Sequence, residues 1–480
     1  MPEPVKRNVA VLGGGPAGLS AAFRLLHDLP PGLSVKVDLY EATGRLGGAV
    51  TSACDAGFCY ELGPNSMNAK HPSVADLIQE KLRLKPRMLP RSPYAKRYYF
   101  MRDGKLVPLP LSPLHFATTG LLSWRAKWHV VKEPFVARLQ DVRDSHMESV
   151  ASFFQRRFGR EVVDYLVDPM VAGTYSGKPA DLSMKHALRK VWRLEQKHGS
   201  VIGALLRGAG KTKPDPRYKP YTGKELRASF TYDKGMEVVT DALVANINDL
   251  NPRGGRLYTH GKVRTLDRDP NGAWRINGRG KYDAVISTIP THAVKSIYTN
   301  MSALGKGFKK LNKSIKYAPV SVVVMGFDKS QVPHPLDGFG ALIPTVEGRQ
   351  ILGINFSSSN YPQRLSDPDK VFLTVYVGGQ RNPDLPFRRA KEIVDISKKE
   401  LGHVLGVKGD PFFSRVKTWK RGIPQYDPQF DESLCTMARA EKSAKGFVFG
   451  GNYRDGVGLP DALRSGILSA EKTLQYLKTL

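Results

Sequence analysis

The stretch that decides the fold is VAVLGGGPAG at residues 9–18. Its first four residues are apolar and predict a short buried strand, and the LSAAFRLL that follows continues at helical period. Between them, Gly13, Gly15 and Gly18 have the G-x-G-x-x-G spacing, which allows a tight turn, close approach of the backbone to a diphosphate, and close helix–strand packing. The helix N-terminus offers free N–H groups and a positive dipole end to that diphosphate. The stretch therefore predicts a dinucleotide-binding βαβ unit.

A second predicted strand, VKVDLYE, ends at Glu41. A carboxylate at this point can accept hydrogen bonds from both ribose hydroxyls. A glycine motif alone is a weak signal, because glycine-rich turns are common. Here the strand, the glycines, the helix, the second strand and the terminal acid follow one another within the first 41 residues, which is a much more specific pattern.

The residues after Glu41 distinguish between dinucleotides. Arg45, Gly47 and Gly48 continue as E-x-x-x-R-x-G-G, and ELGPNS, which contains Gly63, follows shortly afterwards. A nicotinamide enzyme has no need of this second glycine pair. The segment resembles the FAD-binding start of the amine oxidase superfamily, in which the arginine and the glycines extend the diphosphate site. The resemblance implies FAD as the cofactor.

The C-terminal stretch at 447–466, FVFGGNYRDGVGLPDALRSG, predicts a strand, a glycine-rich turn and a helix. In related flavoproteins such a late helix N-terminus points at the pyrimidine side of the flavin. There it stabilises the negative charge that develops on reduction. By this resemblance, Gly456 and Val457 are expected beside the flavin.

Composition limits the class of protein. A chain of 480 residues is too long for one core, so two or three domains are expected. No apolar run approaches 18 residues, so no membrane-spanning helix is predicted. The N-terminal MPEPVKRN is too short for a signal peptide or presequence, so any targeting signal is expected to be internal or to have been trimmed.

Three cysteines, Cys54, Cys59 and Cys435, form neither a metal-ligand set nor an even disulfide framework. They indicate a reducing compartment. Because neither cysteine nor histidine recurs at ligand spacing, no metal is expected.

The net charge of +29, from 73 Lys and Arg against 44 Asp and Glu, indicates an anionic partner. Lipid head groups, an acidic substrate and nucleic acid all remain open. The excess is concentrated between residues 181 and 227, which is either a solvated basic face or a surface for anionic lipid.

An α/β organisation follows, in which a Rossmann-type FAD-binding domain is interrupted twice. Residues 1–84, 229–294 and 421–480 form the predicted FAD domain, in which Val263 falls where related flavoproteins cover the adenine. Residues 112–206 are predicted as a helical, membrane-facing insert. Long alternating runs at 295–420, together with 85–111, predict a mixed-sheet substrate domain.

Nearly the whole chain resembles the oxygen-dependent protoporphyrinogen oxidases. The specific segments are DPMVAGTYSGKPADLSM, DGFGALIP and GIPQY. The resemblance implies six-electron oxidation of protoporphyrinogen IX to protoporphyrin IX with O2 as acceptor. It also implies a peripheral membrane enzyme and a possible homodimer. The membrane is the mitochondrial inner membrane for a eukaryotic member and the cytoplasmic membrane surface for a bacterial one.

The same resemblance implies the substrate residues. Arg97 matches an arginine that binds a propionate, and Gly173 matches a glycine whose missing side chain admits a ring. Leu342 and Tyr376 match an apolar clamp and a bulky stacking position. Asn355 departs from the family pattern, since it stands where a second apolar clamp is expected, and a buried amide without a partner costs about 1–3 kcal/mol.

Two alternatives stay open. The departure at Asn355 and the basic surface also suit a coproporphyrinogen-type oxidase, whose substrate carries more carboxylates. A catalytically retired flavoprotein fold that serves as a basic scaffold in an RNA-rich assembly is the alternative from another class. RNA binding through such charge would be non-specific and steeply salt-dependent.

Overall fold

The computed structural model describes residues 3–139, 147–209, 228–251 and 254–480. Residues 210–227 of the basic segment between 181 and 227 therefore lie outside the described residues. The strands are β1 (Val5–Leu12), β2 (Leu33–Tyr40), β3 (Ser52–Asp55), β4 (Phe58–Glu61), β5 (Met88–Pro90), β6 (Arg97–Arg102), β7 (Lys105–Pro108), β8 (Phe230–Tyr232), β9 (Leu257–Tyr258), β10 (Leu266–Arg268), β11 (Trp274–Ile276), β12 (Arg279–Tyr282), β13 (Ala284–Ser287), β14 (Tyr317–Asp328), β15 (Gly338–Leu342), β16 (Ile351–Asn355), β17 (Lys370–Gly378), β18 (Phe413–Pro424) and β19 (Phe447–Phe449).

The α-helices of the described residues alternate with these strands. They are α1 (Pro16–His27), α2 (Pro72–Asp76), α3 (Pro113–Thr118), α4 (Trp124–Lys132), α5 (Val150–Phe158), α6 (Arg160–Val162), α7 (Asp168–Tyr175), α8 (Met184–Ala187), α9 (Arg189–His198), α10 (Val201–Leu206), α11 (Glu237–Leu250), α12 (Thr291–Val294), α13 (Ser302–Ser314), α14 (Ser357–Asn360), α15 (Ala390–Leu405), α16 (Phe430–Ser443), α17 (Asn452–Asp455) and α18 (Leu459–Leu477).

A parallel sheet with the strand order β19-β13-β1-β2-β9 forms the centre of the FAD domain. The apolar run of β1 is buried on both faces, as parallel strands covered by helices are. Val9 lies opposite Ala284 on one side and Val37 on the other, so strands from distant parts of the chain meet at β1. The mixed α/β architecture with this parallel sheet confirms the predicted fold class.

Helix α1 packs closely on the C-terminal helix α18. A Cβ atom at Gly466 would lie 2.0 Å from the carbonyl oxygen of Ala17, so the two backbones approach within a distance that only glycine allows. Ser20 Oγ donates a hydrogen bond to the carbonyl oxygen of Leu463 at 2.9 Å. This contact holds the first and last segments of the chain together beside the first glycine turn.

The second large sheet has the order β18-β14-β17-β16-β15-β6-β7. Its pairs are antiparallel except for β15 and β6, which run parallel, so the sheet is mixed as predicted. Strand β18 continues to Pro424, beyond the predicted boundary at 420. Helix α13 falls within the predicted substrate domain, but its Phe308 packs at a tilt against Phe447 and edge-on against Phe449 of the FAD domain.

The described residues between 112 and 206 are mostly helical, and the aromatic side chains of α5 belong to the core of this region. Val150, Phe153 and Phe158 are buried, and Phe154 packs against the same cluster. No helix in the described ranges is both long and apolar enough to cross a bilayer.

The cysteine expectation is corrected in one respect. Strands β3 and β4 form a hairpin in which Cys54 lies opposite Cys59, and the two residues form a disulfide. Their separation of five residues gave no hint of this pairing, because the facing position depends on the register of the hairpin. Cys435 is a free, exposed thiol.

Candidate active site

A cavity of about 1780 Å³ lies between the FAD domain, the mixed sheet and the helical region. Ligand pockets in proteins commonly hold about 300–1,000 Å³. This cavity therefore has room for a dinucleotide and a second large molecule together. Residues from both ends of the chain line it, together with β14, β17, β18, α7 and α9.

The N-terminal glycines form one end of the cavity. Gly13 has a φ of 106°, a conformation that side chains rarely adopt, and a Cβ atom there would lie 2.8 Å from Thr288 Oγ1. Gly15 and Gly48 both line the cavity, and a Cβ atom on Gly48 would lie 2.9 Å from the Cα atom of Gly15. The two predicted glycine segments thus meet, and they leave bare backbone facing the space predicted for a diphosphate.

Glu41 lies at the end of β2 and lines the same part of the cavity. Its Oε2 atom accepts a hydrogen bond from the backbone N–H of Gly14 at 2.8 Å, and Oε1 accepts two from Thr43. An ionised carboxylate has about four acceptor positions, so further capacity remains for ribose hydroxyls. The contact with Gly14 fixes the carboxylate against the glycine turn.

Arg45 organises the second glycine segment. Its guanidinium donates to the carbonyl oxygens of Leu46 at 3.0 Å and Val50 at 2.9 Å, and it pairs with Glu237 at 2.7 Å. Gly47, with a φ of 105°, forms the turn that these bonds hold in place. The arginine therefore shapes the loop beside the cavity as well as contributing to its lining.

Gly456 and Val457 line the cavity just before α18 begins, as do Gly458 and Pro460. The N-terminus of α18 consequently faces the cavity, as the sequence predicted. Asp461 in its first turn accepts hydrogen bonds from His71 and Lys70. Burial raises the pKa of the Asp461 carboxyl, but the His71 hydrogen bond and the Lys70 charge outweigh this effect and hold it below the ordinary value.

Gly63 lines the cavity too, and a Cβ atom there would lie 1.9 Å from the carbonyl oxygen of Ala49. Gly18, Gly47 and Val263 do not line it. Gly18 has a packing role, because a Cβ atom would lie 1.8 Å from the carbonyl oxygen of Gly13. Val263 is 9% exposed and packs in a buried apolar cluster, two residues after Gly261, whose backbone N–H donates to the carbonyl oxygen of Glu41.

The other end of the cavity contains two of the predicted substrate residues, Gly173 on α7 and Tyr376 on β17. Leu342 packs directly against Gly173, since a Cβ atom added there would lie 2.8 Å from Leu342 Cδ2. Asn65 Nδ2 donates a hydrogen bond to Tyr376 Oη. Burial raises the pKa of Tyr376 far above its ordinary value, so its phenol stays protonated at neutral pH.

Asn355 is 7% exposed and is not among the lining residues. Its Oδ1 atom accepts hydrogen bonds from Ser357 Oγ at 3.1 Å and Asn360 Nδ2 at 3.3 Å. Ser357 is also bonded to Thr374 Oγ1 at 2.7 Å. The departure from the family pattern is thus accommodated by a buried polar cluster beside the cavity.

Arg97 lies on β6, outside the lining of the cavity. Its side chain is 57% exposed and forms an ion pair with Asp337 at 2.5 Å. Tyr99 Oη donates to the other oxygen of the same carboxylate. The structure therefore does not bring Arg97 together with Gly173 and Tyr376.

Several cations that the sequence analysis did not assign to a site line the cavity instead. They are Arg189, Lys190 and Arg193 on α9, Lys417 and Arg421 on β18, and Arg464 on α18. The α9 residues were counted only as part of the basic excess. The alternation of Lys417, Trp419 and Arg421 along a strand is a signal that could have indicated a common face.

The residues present fit FAD. Bare glycine backbone, a carboxylate at the end of β2 and a helix N-terminus line one continuous cavity, which supplies a surface for the diphosphate, a partner for the ribose and a positive dipole end. In the described part of the chain, no group of three or more His, Cys, Asp or Glu side chains is arranged to hold a metal ion.

Comparison with known proteins agrees with this geometry. Residues 16–474 match the family described as flavin containing amine oxidoreductase. The chain belongs to this family. As in the other flavin-containing amine oxidoreductases, FAD is the cofactor.

Among the curated relatives, protoporphyrinogen oxidase 2 (chloroplastic/mitochondrial) of Arabidopsis thaliana is 33% identical, over 98% of this chain and 95% of the relative. Coproporphyrinogen III oxidase of Bacillus subtilis is 26% identical, over 98% of this chain and 99% of the relative. A crystal structure of an Exiguobacterium sp. 255-15 protein superimposes with a TM-score of 0.79 at 20% identity, over 98% of this chain and 99% of that one. The resemblance to the protoporphyrinogen oxidases found in the sequence is thereby confirmed.

Proposed function

We propose that this protein oxidises protoporphyrinogen IX to protoporphyrin IX, with FAD as the cofactor and O2 as the electron acceptor. The observation that carries the proposal is the single cavity, in which the glycine cradle and an apolar wall face the same space. The wall contains Val320, Val322 and Trp419 of the mixed sheet together with Ala172. Such a wall suits a largely apolar macrocycle that must lie against the flavin.

FAD held against the N-terminal glycines and Glu41 would supply two-electron redox chemistry, so the six-electron oxidation would consume three O2 and release three H2O2. The protein's own part is to position the substrate and to stabilise charge. Gly173 contributes bare backbone to the cavity wall, with Leu342 packed against it, and Tyr376, held by Asn65, presents its side chain on the β17 wall. The N-terminus of α18 stabilises negative charge that develops at the flavin end.

The direct test is turnover by purified protein. We expect the protein to be yellow and to convert protoporphyrinogen IX into fluorescent protoporphyrin with consumption of O2. A protein that retains FAD and yet forms no porphyrin above the non-enzymatic rate would refute the proposal. Gly15→Val, which places a side chain at the diphosphate, serves as the control without flavin.

Coproporphyrinogen oxidation is the second candidate, because the cavity has several cations for additional carboxylates and one curated relative acts on coproporphyrinogen III by name. The ratio of kcat/KM for the two porphyrinogens decides between the candidates. A ratio in favour of coproporphyrinogen would reassign the substrate without affecting the FAD site.

We also propose that the protein binds peripherally to an anionic membrane through α3, α4 and the adjoining segment. Exposed apolar side chains are concentrated there: Leu111, Leu114, Trp124, Trp128, Val131 and Phe135. Arg125, Lys127 and Lys132 stand among them. Aromatic side chains with interspersed cations favour the interface between acyl chains and anionic head groups.

A further inference from the structure

Strand β18 forms one edge of the mixed sheet and contributes Lys417, Trp419 and Arg421 to the cavity. Side chains two positions apart on a strand share a face, which places Lys417 beside Trp419. The register of β18 against β14 shifts between Ala318 and Val320, next to Arg421. A register shift of this kind changes the direction of the side chains beside it. Here both Trp419 and the following Arg421 line the cavity.

Lys417 lies on the same wall of the cavity as Val322 and Tyr376. Val322 is the cross-strand partner of both Lys417 and Tyr376, and Tyr376 in turn lies opposite Gly353. Trp419 is fixed by a hydrogen bond from its Nε1 to the carbonyl oxygen of Leu62 at 2.7 Å, and Lys417 Nζ lies 5.0 Å from its ring centroid. A held aromatic ring thus separates two cations on the wall.

The charges of these two cations are available to a ligand. Three other cavity-lining cations, Arg45, Lys70 and Arg454, are paired with Glu237, Asp461 and Glu441, respectively. Lys417 and Arg421 form no ion pair with any acidic residue that the structure describes, and both are exposed. Arg189, Lys190, Arg193 and Arg464 also form no ion pair with a described acidic residue, but they lie on α9 and α18 rather than on the β18 wall. The acidic residues of the cavity lie on FAD-domain segments rather than on β18.

A neutral polar group lies near Arg421. His292 lines the cavity, its ring packs edge-on against Tyr317 at 4.9 Å, and its buried Nδ1 atom has no partner among the described residues. An uncharged imidazole can donate one hydrogen bond to a carboxylate. This corner of the cavity therefore combines two free cations with an unused hydrogen-bonding group.

We propose that Lys417 and Arg421 bind the two carboxylates of the porphyrinogen, so that the macrocycle edge that carries them lies along Trp419 and points to β18. The assignment rests on the proposed function, because it takes a dicarboxylate tetrapyrrole as the occupant. It differs from the assignment of a carboxylate to Arg97, which is paired with Asp337 outside the cavity lining. It also orients the substrate, since the apolar edge then points away from β18 toward α7.

The test compares ligands that differ only in their carboxylates. The FAD-loaded protein is titrated with protoporphyrin IX and with its dimethyl ester, and binding is followed by porphyrin fluorescence. We expect the free acid to bind the wild-type protein at least tenfold more tightly than the ester. Lys417→Met and Arg421→Met should each weaken binding of the acid about five- to tenfold, because each removes one charge-assisted contact at an exposed site.

The double variant should bind the acid and the ester alike, while its affinity for the ester stays that of the wild type. KM for protoporphyrinogen should rise by the same factor with kcat within about twofold, since carboxylates remote from the reacting carbon contribute to ground and transition states equally. Lys417→Arg should restore binding of the acid. Lys420→Met is the matched control, since this neighbouring lysine lies near Phe387 and does not line the cavity.

Three results would overturn the assignment. The double variant could keep the preference for the acid, or it could lose affinity for acid and ester equally, which indicates a structural role. Alternatively, the preference for protoporphyrin IX over its dimethyl ester could be lost in Arg97→Met or Arg193→Met and not in the Lys417 and Arg421 variants. Turnover of protoporphyrinogen tests the proposed function separately, because the titration measures carboxylate recognition even in a protein that lacks activity.

Discussion

Two glycines of the N-terminal motif differ in what a side chain would meet. At Gly15 a Cβ atom would have only an ordinary contact, 3.8 Å from the Cα atom of Gly48, and would point into the cavity lining. We therefore expect Gly15→Val to fold with a melting temperature within a few degrees of the wild-type apoprotein but to lose FAD. Flavin absorbance after gel filtration measures the loss.

Gly18→Ala should have the opposite effect, because its Cβ atom would overlap the carbonyl oxygen of Gly13 at 1.8 Å. We expect it to destabilise the apoprotein by several kcal/mol, as an enforced backbone shift in a packed core does. If the apoprotein of Gly18→Ala proved as stable as that of Gly15→Val, the packing role would be wrong.

At Asn355, replacement by leucine restores the apolar residue of the family pattern but removes an acceptor from Ser357 and Asn360. Both donors keep another partner, at Thr374 and Phe339, so the expected cost is only about 1 kcal/mol. Urea unfolding measures this cost. Because Asn355 does not line the cavity, KM should change by less than about twofold. A stabilised Asn355→Leu protein would show that the polar cluster contributes nothing.

His292 gives the protein a pH dependence of known sign. Burial, with the nearby charges of Arg421 and Lys295, lowers its pKa from 6.5 to about 4. Between these values the unfolded chain binds a proton that the folded protein does not, so this contribution to stability is complete above pH 6.5 and declines as the pH falls toward 4. The unfolding free energy of His292→Gln should fall less steeply between pH 7 and pH 4.5 than that of the wild type, by at most about 2 kcal/mol because the ring is only half-buried. An unchanged slope would assign the loss to other groups.

At the scale of elements, the helical region depends on a buried ion cluster. Arg157 and Glu195 form a 2.7 Å ion pair in which both side chains are 0% exposed, and Arg157 also pairs with Glu133. Glu133 in turn accepts hydrogen bonds from the backbone N–H groups of Val201 and Ile202, at 2.9 and 3.0 Å. One arginine therefore connects α5 to the start of α10.

Arg157→Met should consequently destabilise the helical region by about 3–5 kcal/mol, because Glu133 is left buried without its cation and Glu195 keeps only its pair with Arg156. Faster amide hydrogen exchange in α10 and around Glu133 measures the effect. Arg160→Met is the control, since Arg160 is 82% exposed and pairs with Asp164 at only 3.5 Å, which is worth at most about 0.5 kcal/mol. Equal rates of amide hydrogen exchange in Arg157→Met and Arg160→Met would show that the buried ion cluster does not stabilise the helical region.

The elements that the sequence predicted well are those with local signals. The strand of residues 9–12, the glycine turn and α1 follow from residues adjacent in the chain, and so does the N-terminus of α18 at Gly456 and Val457. The pairing of Cys54 with Cys59 and the wall formed by β18 depend on register and on contacts between distant segments. Family resemblance indicated residues 97 and 355, but Asp337 and the Ser357 cluster determine how those side chains lie here. The alternative of a catalytically retired flavoprotein fold that serves as a basic scaffold in an RNA-rich assembly stays a prediction.

For the whole molecule, the proposed membrane surface predicts a salt-dependent partition. Trp128→Glu combined with Phe135→Glu should reduce cosedimentation with vesicles that contain anionic phospholipid about tenfold or more, because two anchoring aromatics become anionic. Activity in detergent should not change, since neither residue lines the cavity. Tyr298→Glu is the control, as this tyrosine is 70% exposed but forms a β-bridge with Thr265 and lies outside α3 and α4. Equal partitioning of all three proteins would exclude α4 as the anchor.

The position of β1 in its sheet has a consequence for the biosynthesis of the protein. Its strand is complete at Leu12, yet the neighbouring strand β13 ends at Ser287, and β19, which completes that side of the sheet, ends at Phe449. At a synthesis rate of about 5–20 residues per second, the ribosome needs roughly 20–90 seconds between the first of these strands and the last. Strand β2 can pair with β1 as soon as residue 40 has been made, but throughout that interval the other side of the sheet remains incomplete. Newly made chains therefore need protection from aggregation until translation is nearly finished, and FAD can stabilise only the completed polypeptide.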